Sequence, residues 1–239
     1  GRNITVAHQG LVQAADTLAA TAAGSMQIAG RALAGRDQTL SAGDGLSIDG
    51  TAAALKGDLT LTATRGDLIL GAASRQQADG TLTATAGGAL QALCSASAGK
   101  DLSLRAGTDA RLGGVIGTQT GKLSVNAARD LFITTDGRLQ SGAALALDAG
   151  GTLNNAGVAF ASGRADLYAG TTLANTGSVL AGGDLNARTP GLLNNTGRFV
   201  AGVDADGKLS QPGSLTLTAG TLQHAGTSLA GKNMTLSAT

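Results

Sequence analysis

The sequence predicts an all-β parallel β-solenoid, about 11 coils of roughly 20 residues with three short strands in each. Three observations predict it. An apolar alternation, L-x-L-x-A, recurs along the chain. A second motif, L-x-N-x-G, recurs at the same interval. The interior must also be built almost without aromatic side chains, since the 239 residues hold 38 Gly, no Trp, one Tyr and three Phe. Hydrophobic residues still make up 42% of the chain, too many for a disordered one. A thin core of small and medium side chains stacked in regular order satisfies both facts.

The first strand of each coil is the alternating motif. It reads LTLTA at Leu59, LTATAG at Leu82, LSLRAG at Leu102, LSVNAA at Leu123, LALDAG at Leu145, LTLTAG at Leu215 and MTLSA at Met234. Weaker copies start at Leu18, Leu40, Leu167 and Leu185. The eleven starts are separated by 22, 19, 23, 20, 21, 22, 22, 18, 30 and 19 residues. A period of two within the motif is strand alternation, and the frequent Gly and Thr argue against helix. A Gly turn leads to a second strand ending at L-x-N. The L-x-N-x-G corner then leads to a third, such as Val158–Ala161.

The corner glycines Gly137, Gly157, Gly177 and Gly197 are spaced by 20, 20 and 20, and the next copy, LQHAG, ends 29 later at Gly226. Both series lengthen at VDADGKLSQ, so residues 203–211 are expected to be a loop insertion. Residues 1–17 are expected to be an incomplete first coil, and 1–239 a single β-helix segment. Opening on Gly1, with no initiating Met and no signal peptide, the chain reads as an internal piece of a longer repeat stalk.

A coil of 20 residues cannot bury its own apolar face, whereas stacked coils bury it between neighbours at about 4.8 Å per layer. Stacking is expected to place Leu145, Leu167, Leu185, Leu215 and Met234 in one inward column. Leu147, Ala169, Ala187, Leu217 and Leu236 are expected in the next. Gly at the corners is expected to supply positive φ, and Asn to tolerate the left-handed conformation. Asn155, Asn175 and Asn195 would then lie over one another and hydrogen-bond along the axis, as stacked amides do in cross-β structures. The ladder is expected to span three coils, with His224 in the equivalent position after it and Thr135 before it.

The run GTLNNAG, followed by VAFASGRADLYAG and its neighbours, resembles the filamentous haemagglutinin repeat of large two-partner-secreted bacterial exoproteins. These include filamentous haemagglutinin adhesins and CdiA-type effectors of contact-dependent growth inhibition. The resemblance is fullest from Leu145 to Thr239, where L-x-N-x-G and G-x-D-L-x-L both occur. Before Leu145 only the L-x-L-x-A-G half persists. The resemblance implies a right-handed parallel β-helix exported through an outer-membrane two-partner-secretion transporter and displayed at the bacterial cell surface. There it would be a non-enzymatic virulence stalk, a rigid spacer presenting distal binding or toxin regions.

Other functions find little support in the residues. Net charge is +1 with no basic cluster, which gives no electrostatic footprint for nucleic acid or an anionic membrane. No apolar run approaches the roughly 20 residues of a membrane helix. Cys94 is alone, and its alternation with Leu90 and Ala92 predicts a buried structural thiol. Two histidines and one cysteine assemble neither a metal site nor a Ser-His-Asp set, so no enzyme activity and no cofactor are expected. Asp58, Asp101, Asp166 and Asp184 each precede a first strand. Asp166 and Asp184 come close in adjacent coils in this reading, but turn-forming Asp is the simpler account. Asp204-Ala-Asp206-Gly207 lacks the remaining ligands of a calcium loop.

Binding, where it exists, is expected on loops. The candidates are 71–80 and 203–211, the latter with Asp204, Asp206 and Lys208, facing a host-cell glycan or a receptor on a host cell or target bacterium. Phe160 and Phe199 are expected to pack inward with Leu180, and Tyr168 to face outward.

Overall fold

In a strand, successive side chains point to opposite faces, so the L-x-L-x-A motif can bury its first, third and fifth residues and leave the others in solvent. The computed structural model describes residues 2–204 and 207–239. Among them are 31 strands and no helix, and every strand-to-strand ladder is parallel. The strands lie on three faces. The first carries the five-residue strands, such as Leu59–Ala63 and Leu145–Ala149. The second carries strands of three or four residues, such as Leu68–Leu70 and Thr152–Asn155. The third is a sheet of 11 strands from Leu11–Ala14 to Thr227–Ala230. In two late turns the first- and second-face strands run together, as Leu185–Asn195 and Leu215–His224.

The chain winds through about 12 turns. The first has only second- and third-face strands, Ile4–Val6 and Leu11–Ala14, and the last only Met234–Ala238. Residues 1–17 thus already hold two strands, and the 11 coils counted from Leu18 follow them. Stacking at about 4.8 Å per turn gives a rod about 50 Å long. Inward columns of Leu, Ile, Val and Ala form one continuous core, which runs from Val6 to Ala219. Each turn buries its apolar side chains only against the turns next to it, so stability is a sum of turn-to-turn contacts.

Two register expectations need correction. Leu145 pairs with Ala165, and Leu147 pairs with Leu167. Leu167 therefore stands one inward position later than Leu145 and Leu185, and Ala169 one later than Leu147. Likewise the partner of Leu18 and Leu59 is Gln38, not Leu40. With true first positions at Gln38 and Ala165, the intervals on either side become 20 and 21, then 20 and 20. The inward alternation survives the shift because a two-residue step preserves the face.

The corner glycines also have a different cause from the one their composition suggests. Among the described residues no non-Gly residue has positive φ, and the positive-φ glycines are Gly202 and Gly207. Asn155, Asn175 and Asn195 are therefore not left-handed either. The residue before each third-face strand is Gly in nine of eleven turns, from Gly10 to Gly226, with Ser74 and Cys94 the exceptions. A methyl group on Gly157 would collide with Gly137 O, one on Gly177 with Gly157 O, and one on Gly197 with Gly177 O. The same carbonyls accept the N–H that opens the next strand, as in Ser178 N to Gly157 O at 2.9 Å and Arg198 N to Gly177 O at 2.8 Å. The turns approach too closely here for any side chain.

At the other corners the sheet ladder is interrupted, and aspartate repairs it. Asp58 Oδ1 accepts from Thr81 N at 2.7 Å, Asp101 Oδ1 from Lys122 N at 2.7 Å and Asp184 Oδ1 from Ser214 N at 2.8 Å. Asp67 and Asp130 do the same for Ala89 and Thr152 at the next corner. Each carboxylate reaches one turn forward, and Gly80, Gly88, Gly121 and Gly151 leave the space it occupies. The recurrent D-L pair is therefore an inter-turn clasp. Surface ion pairs such as Arg129–Asp109 (2.6 Å) also join successive turns, and the Arg129 guanidinium holds the Asp109 carboxyl below its usual range. Exposed pairs of this kind add little.

Candidate functional site

The second-face strands of three late turns each end in an asparagine that faces inward. Asn155, Asn175 and Asn195 are fully buried and lie in register. Asn155 Nδ2 donates to Asn175 Oδ1 at 2.8 Å, and Asn175 Nδ2 to Asn195 Oδ1 at 2.7 Å. The second amide proton of Asn175 reaches Arg198 O at 3.2 Å. His224 follows in register, with its Nδ1 3.0 Å from Asn195 Nδ2, so it accepts as the Nε2–H tautomer. Before the ladder the register places Ile133 opposite Asn155, not Thr135, which lies in the four-residue turn leading to Gly137. Ile133 offers no donor, and Asn155 Oδ1 is left without a partner. Amide groups that use each other in this way are structural; they hold no exposed atom for a ligand.

The insertion at 203–211 leaves the third face at Gly202, where φ is +89°. Val203 and Leu209 form an antiparallel bridge. Asp204 Oδ1 accepts from Lys208 N at 2.9 Å, and Asp204 Oδ2 from Ser210 Oγ at 2.7 Å. Asp204 is thus committed to holding the hairpin, Lys208 is exposed, and Asp206 lies outside the described residues. The segment 71–80 is not an excursion. Arg75–Ala78 is a regular third-face strand paired on both sides. Its polar look arises because Arg75 and Gln77 point outward while Gln76 is buried and donates to Ser74 Oγ at 3.2 Å. Two extra residues in the preceding corner, closed by Ser74 N to Gly71 O at 2.9 Å, are all that lengthens it.

Asp166 and Asp184 do not converge. Asp166 is the second residue of strand Ala165–Ala169 and pairs with Asn186, whereas Asp184 sits in a corner. His8 and His224 belong to turns about 48 Å apart. Among the described residues no group of three or more His, Cys, Asp or Glu is placed to hold a metal. Phe199 is fully buried and pairs with Val179, but Phe160 and Leu180 occupy the outward position of the same face. Parity explains this, because Ala159 and Ala161 take the inward places beside Phe160.

Cys94 takes a corner-column position and is buried, which pushes its thiol up to about 11, with Ser74 hydrogen-bonded to it. A thiol in this state is not nucleophilic near neutrality. With a disulfide reagent at about pH 8, the folded chain is expected to show no thiol release, and one equivalent once urea unfolds it. Rapid release from the folded chain would contradict the burial.

A further cluster escapes motif reading because its members are scattered through separate repeats. Arg164, Asp166, Tyr168, Asn186 and Arg188 meet on the outer side of the first face around a groove of about 530 Å³. Only the register shows it, placing Asp166 beside Asn186 and Tyr168 beside Arg188.

The haemagglutinin repeat family matches residues 2–63, 53–120, 118–159, 160–210 and 200–239, which together span nearly the whole chain. The chain belongs to the haemagglutinin repeat family. No curated protein and no solved structure matches it. The repeats extend through the region before Leu145, where the asparagine corner is absent. The haemagglutinin repeat therefore does not need asparagine; turns with Ile48, Leu70 or Leu112 at that position stack equally. The family is a structural, adhesin-type one of secreted surface proteins and is not known for enzymes. Five repeat matches on one uninterrupted solenoid make this chain an adhesin-type structural segment.

Proposed function

We propose that the segment is a stiff stalk of a secreted bacterial surface adhesin or growth-inhibition effector, holding distal binding or toxin regions away from the cell. The observation that carries this reading is the parallel pairing that continues from turn to turn over about 12 turns, with one register shift, between Thr189 and Leu192. Bending such a rod requires breaking ladders on one side, so length is transmitted as distance. Turn-by-turn folding also suits a chain that leaves the cell through a two-partner-secretion transporter, since each new turn needs only the one before it.

In a stalk of this kind length is additive. Excising residues 59–122 removes three whole turns and joins Asp58 to Leu123, which is equivalent in register to the Leu59 it replaces. The shortened chain is expected to fold and, by small-angle scattering, to be shorter by about 14 Å. Within the full-length secreted protein, the same excision is expected to leave surface display intact and bring a distal epitope closer to the membrane. A collapsed chain, or one of unchanged length, would sink the proposal.

A further inference from the structure

We propose that the groove on the outer side of the first face is a binding site for a neutral oligosaccharide. Through the early turns the outward positions of this face carry short side chains, such as Thr39, Thr60 and Thr83 in one column and Ser41, Thr62 and Thr85 in the other. Larger polar side chains enter the second column at Arg105 and Asn126, and from the turn of Ala165 both columns carry them. One column becomes Ala146, Asp166, Asn186, Thr216, and the other Asp148, Tyr168, Arg188, Thr218. The two columns run along the axis about 7 Å apart, the span of two strand residues. Ala146 leaves a depression between them, and larger side chains wall it.

The walls are held by their own contacts. Arg164 Nε donates to Asp166 Oδ1 at 2.7 Å, and Asn186 Nδ2 approaches the same oxygen at 3.3 Å. On the opposite wall the Arg188 guanidinium lies 4.9 Å from the centre of the Tyr168 ring, a cation–π contact that fixes both. The groove thus offers a carboxylate, an amide and a guanidinium as planar polar groups, hydroxyls from Thr216 and Thr218, and an aromatic ring, all on a rigid sheet.

This set selects a ligand chemistry. Interleaved donors and acceptors suit a ligand rich in hydroxyls, and the Tyr168 ring suits one with C–H faces; a pyranose has both. Successive rings of an extended glycan are spaced much like successive turns, so each would meet the same two columns. Asp148 and Asp166 balance Arg164 and Arg188, which disfavours a phosphate backbone or another strongly charged polymer. Added peptide strands are excluded, because these first-face strands are already paired on both edges. The lining is too polar for an apolar ligand.

An immobilised panel of hexose and N-acetylhexosamine tetramers, with sialylated and sulfated counterparts, tests this. The 239-residue chain is compared with Tyr168→Ala, Asn186→Ala and Thr62→Ala, the last an outward residue beyond the groove. At least one neutral tetramer is expected to be retained. Tyr168→Ala and Asn186→Ala are each expected to weaken it about tenfold or more, and Thr62→Ala to leave it unchanged. Raising salt from about 0.15 to about 0.5 M is expected to have little effect. All three positions face outward, and melting curves confirm folding; should Tyr168→Ala unfold, Asn186→Ala against Thr62→Ala decides. Retention of no neutral glycan, retention that survives both groove substitutions, or salt-sensitive retention of charged glycans alone would each overturn the assignment.

Discussion

Replacing Gly177 with alanine is expected to destabilise the protein by about 3 kcal/mol, seen as a lowered urea midpoint. The ordinary reason for a glycine, positive φ, does not apply at this position. What applies is the neighbouring turn: the added methyl would lie within 3.0 Å of Gly157 O, Ala156 C and Ala156 O. These are backbone atoms, one of which holds Ser178 N, so nothing can rotate away. The turns must separate, and separating them stretches ladders on all three faces. Gly207 supplies the contrast. Its φ is +76°, but a methyl added there would meet nothing within 4 Å. Gly207→Ala should therefore cost only the backbone strain of about 1 kcal/mol. If the two substitutions had equal effects, or if Gly177→Ala melted like the parent, close approach would not be what the corner glycines serve.

The protein already shows what a side chain in that column does. Ser74 and Cys94 are its two non-glycine members and stand in consecutive turns. The hydrogen bond between their turns, Ser95 N to Ser74 O, is 3.3 Å, against 2.8 to 3.0 Å for Arg31, Thr51, Arg138 and Arg198 at equivalent positions. The turns open there by a few tenths of an ångström, so the column admits a side chain where the neighbouring turns part.

What could be read from the residues was whatever depends on local repetition. Strand alternation, three strands per turn, the stacking of turns and the vertical alignment of Asn155, Asn175 and Asn195 follow from a period of two nested in a period of about 20. What could not be read depends on neighbours far away in the chain. Gln38 holds an inward leucine position although its amide is fully buried with neither polar atom partnered, so a search for leucines passes over it to Leu40. Ala165 hides the start of its strand in the same way. Phe160 looks like core, yet the narrow interior of the third face takes Ala159 and Ala161 and leaves the ring outside. The groove residues are invisible as a group, since Asp166, Asn186 and Arg188 share no motif and meet only through register.

Replacing Asn175 alone with leucine is expected to cost about 2 to 3 kcal/mol, whereas replacing Asn155, Asn175 and Asn195 together is expected to cost within about 1 kcal/mol of nothing. The single change removes an acceptor from Asn155 Nδ2 and a donor from Asn195 Oδ1, both inside a dry core. Leaving a buried partner unsatisfied costs more than a paired amide contributes. The triple change removes the partners as well, and the fold has room for it: Ile48, Leu70, Leu112 and Ile133 fill this column in earlier turns. What is then lost is the contact to His224, which is exposed, and the long amide contacts to Ser178 O at 3.4 Å and Arg198 O at 3.2 Å. Urea titration of the three single variants and the triple variant measures the coupling directly. If the triple cost equalled the sum of the singles, the amides would be contributing independently and the ladder would not be a unit. If it is much smaller, the asparagines add little net stability. Their effect is then on register, because an amide column opposes a slip that would set Asn175 or Asn195 against an aliphatic side chain on both sides.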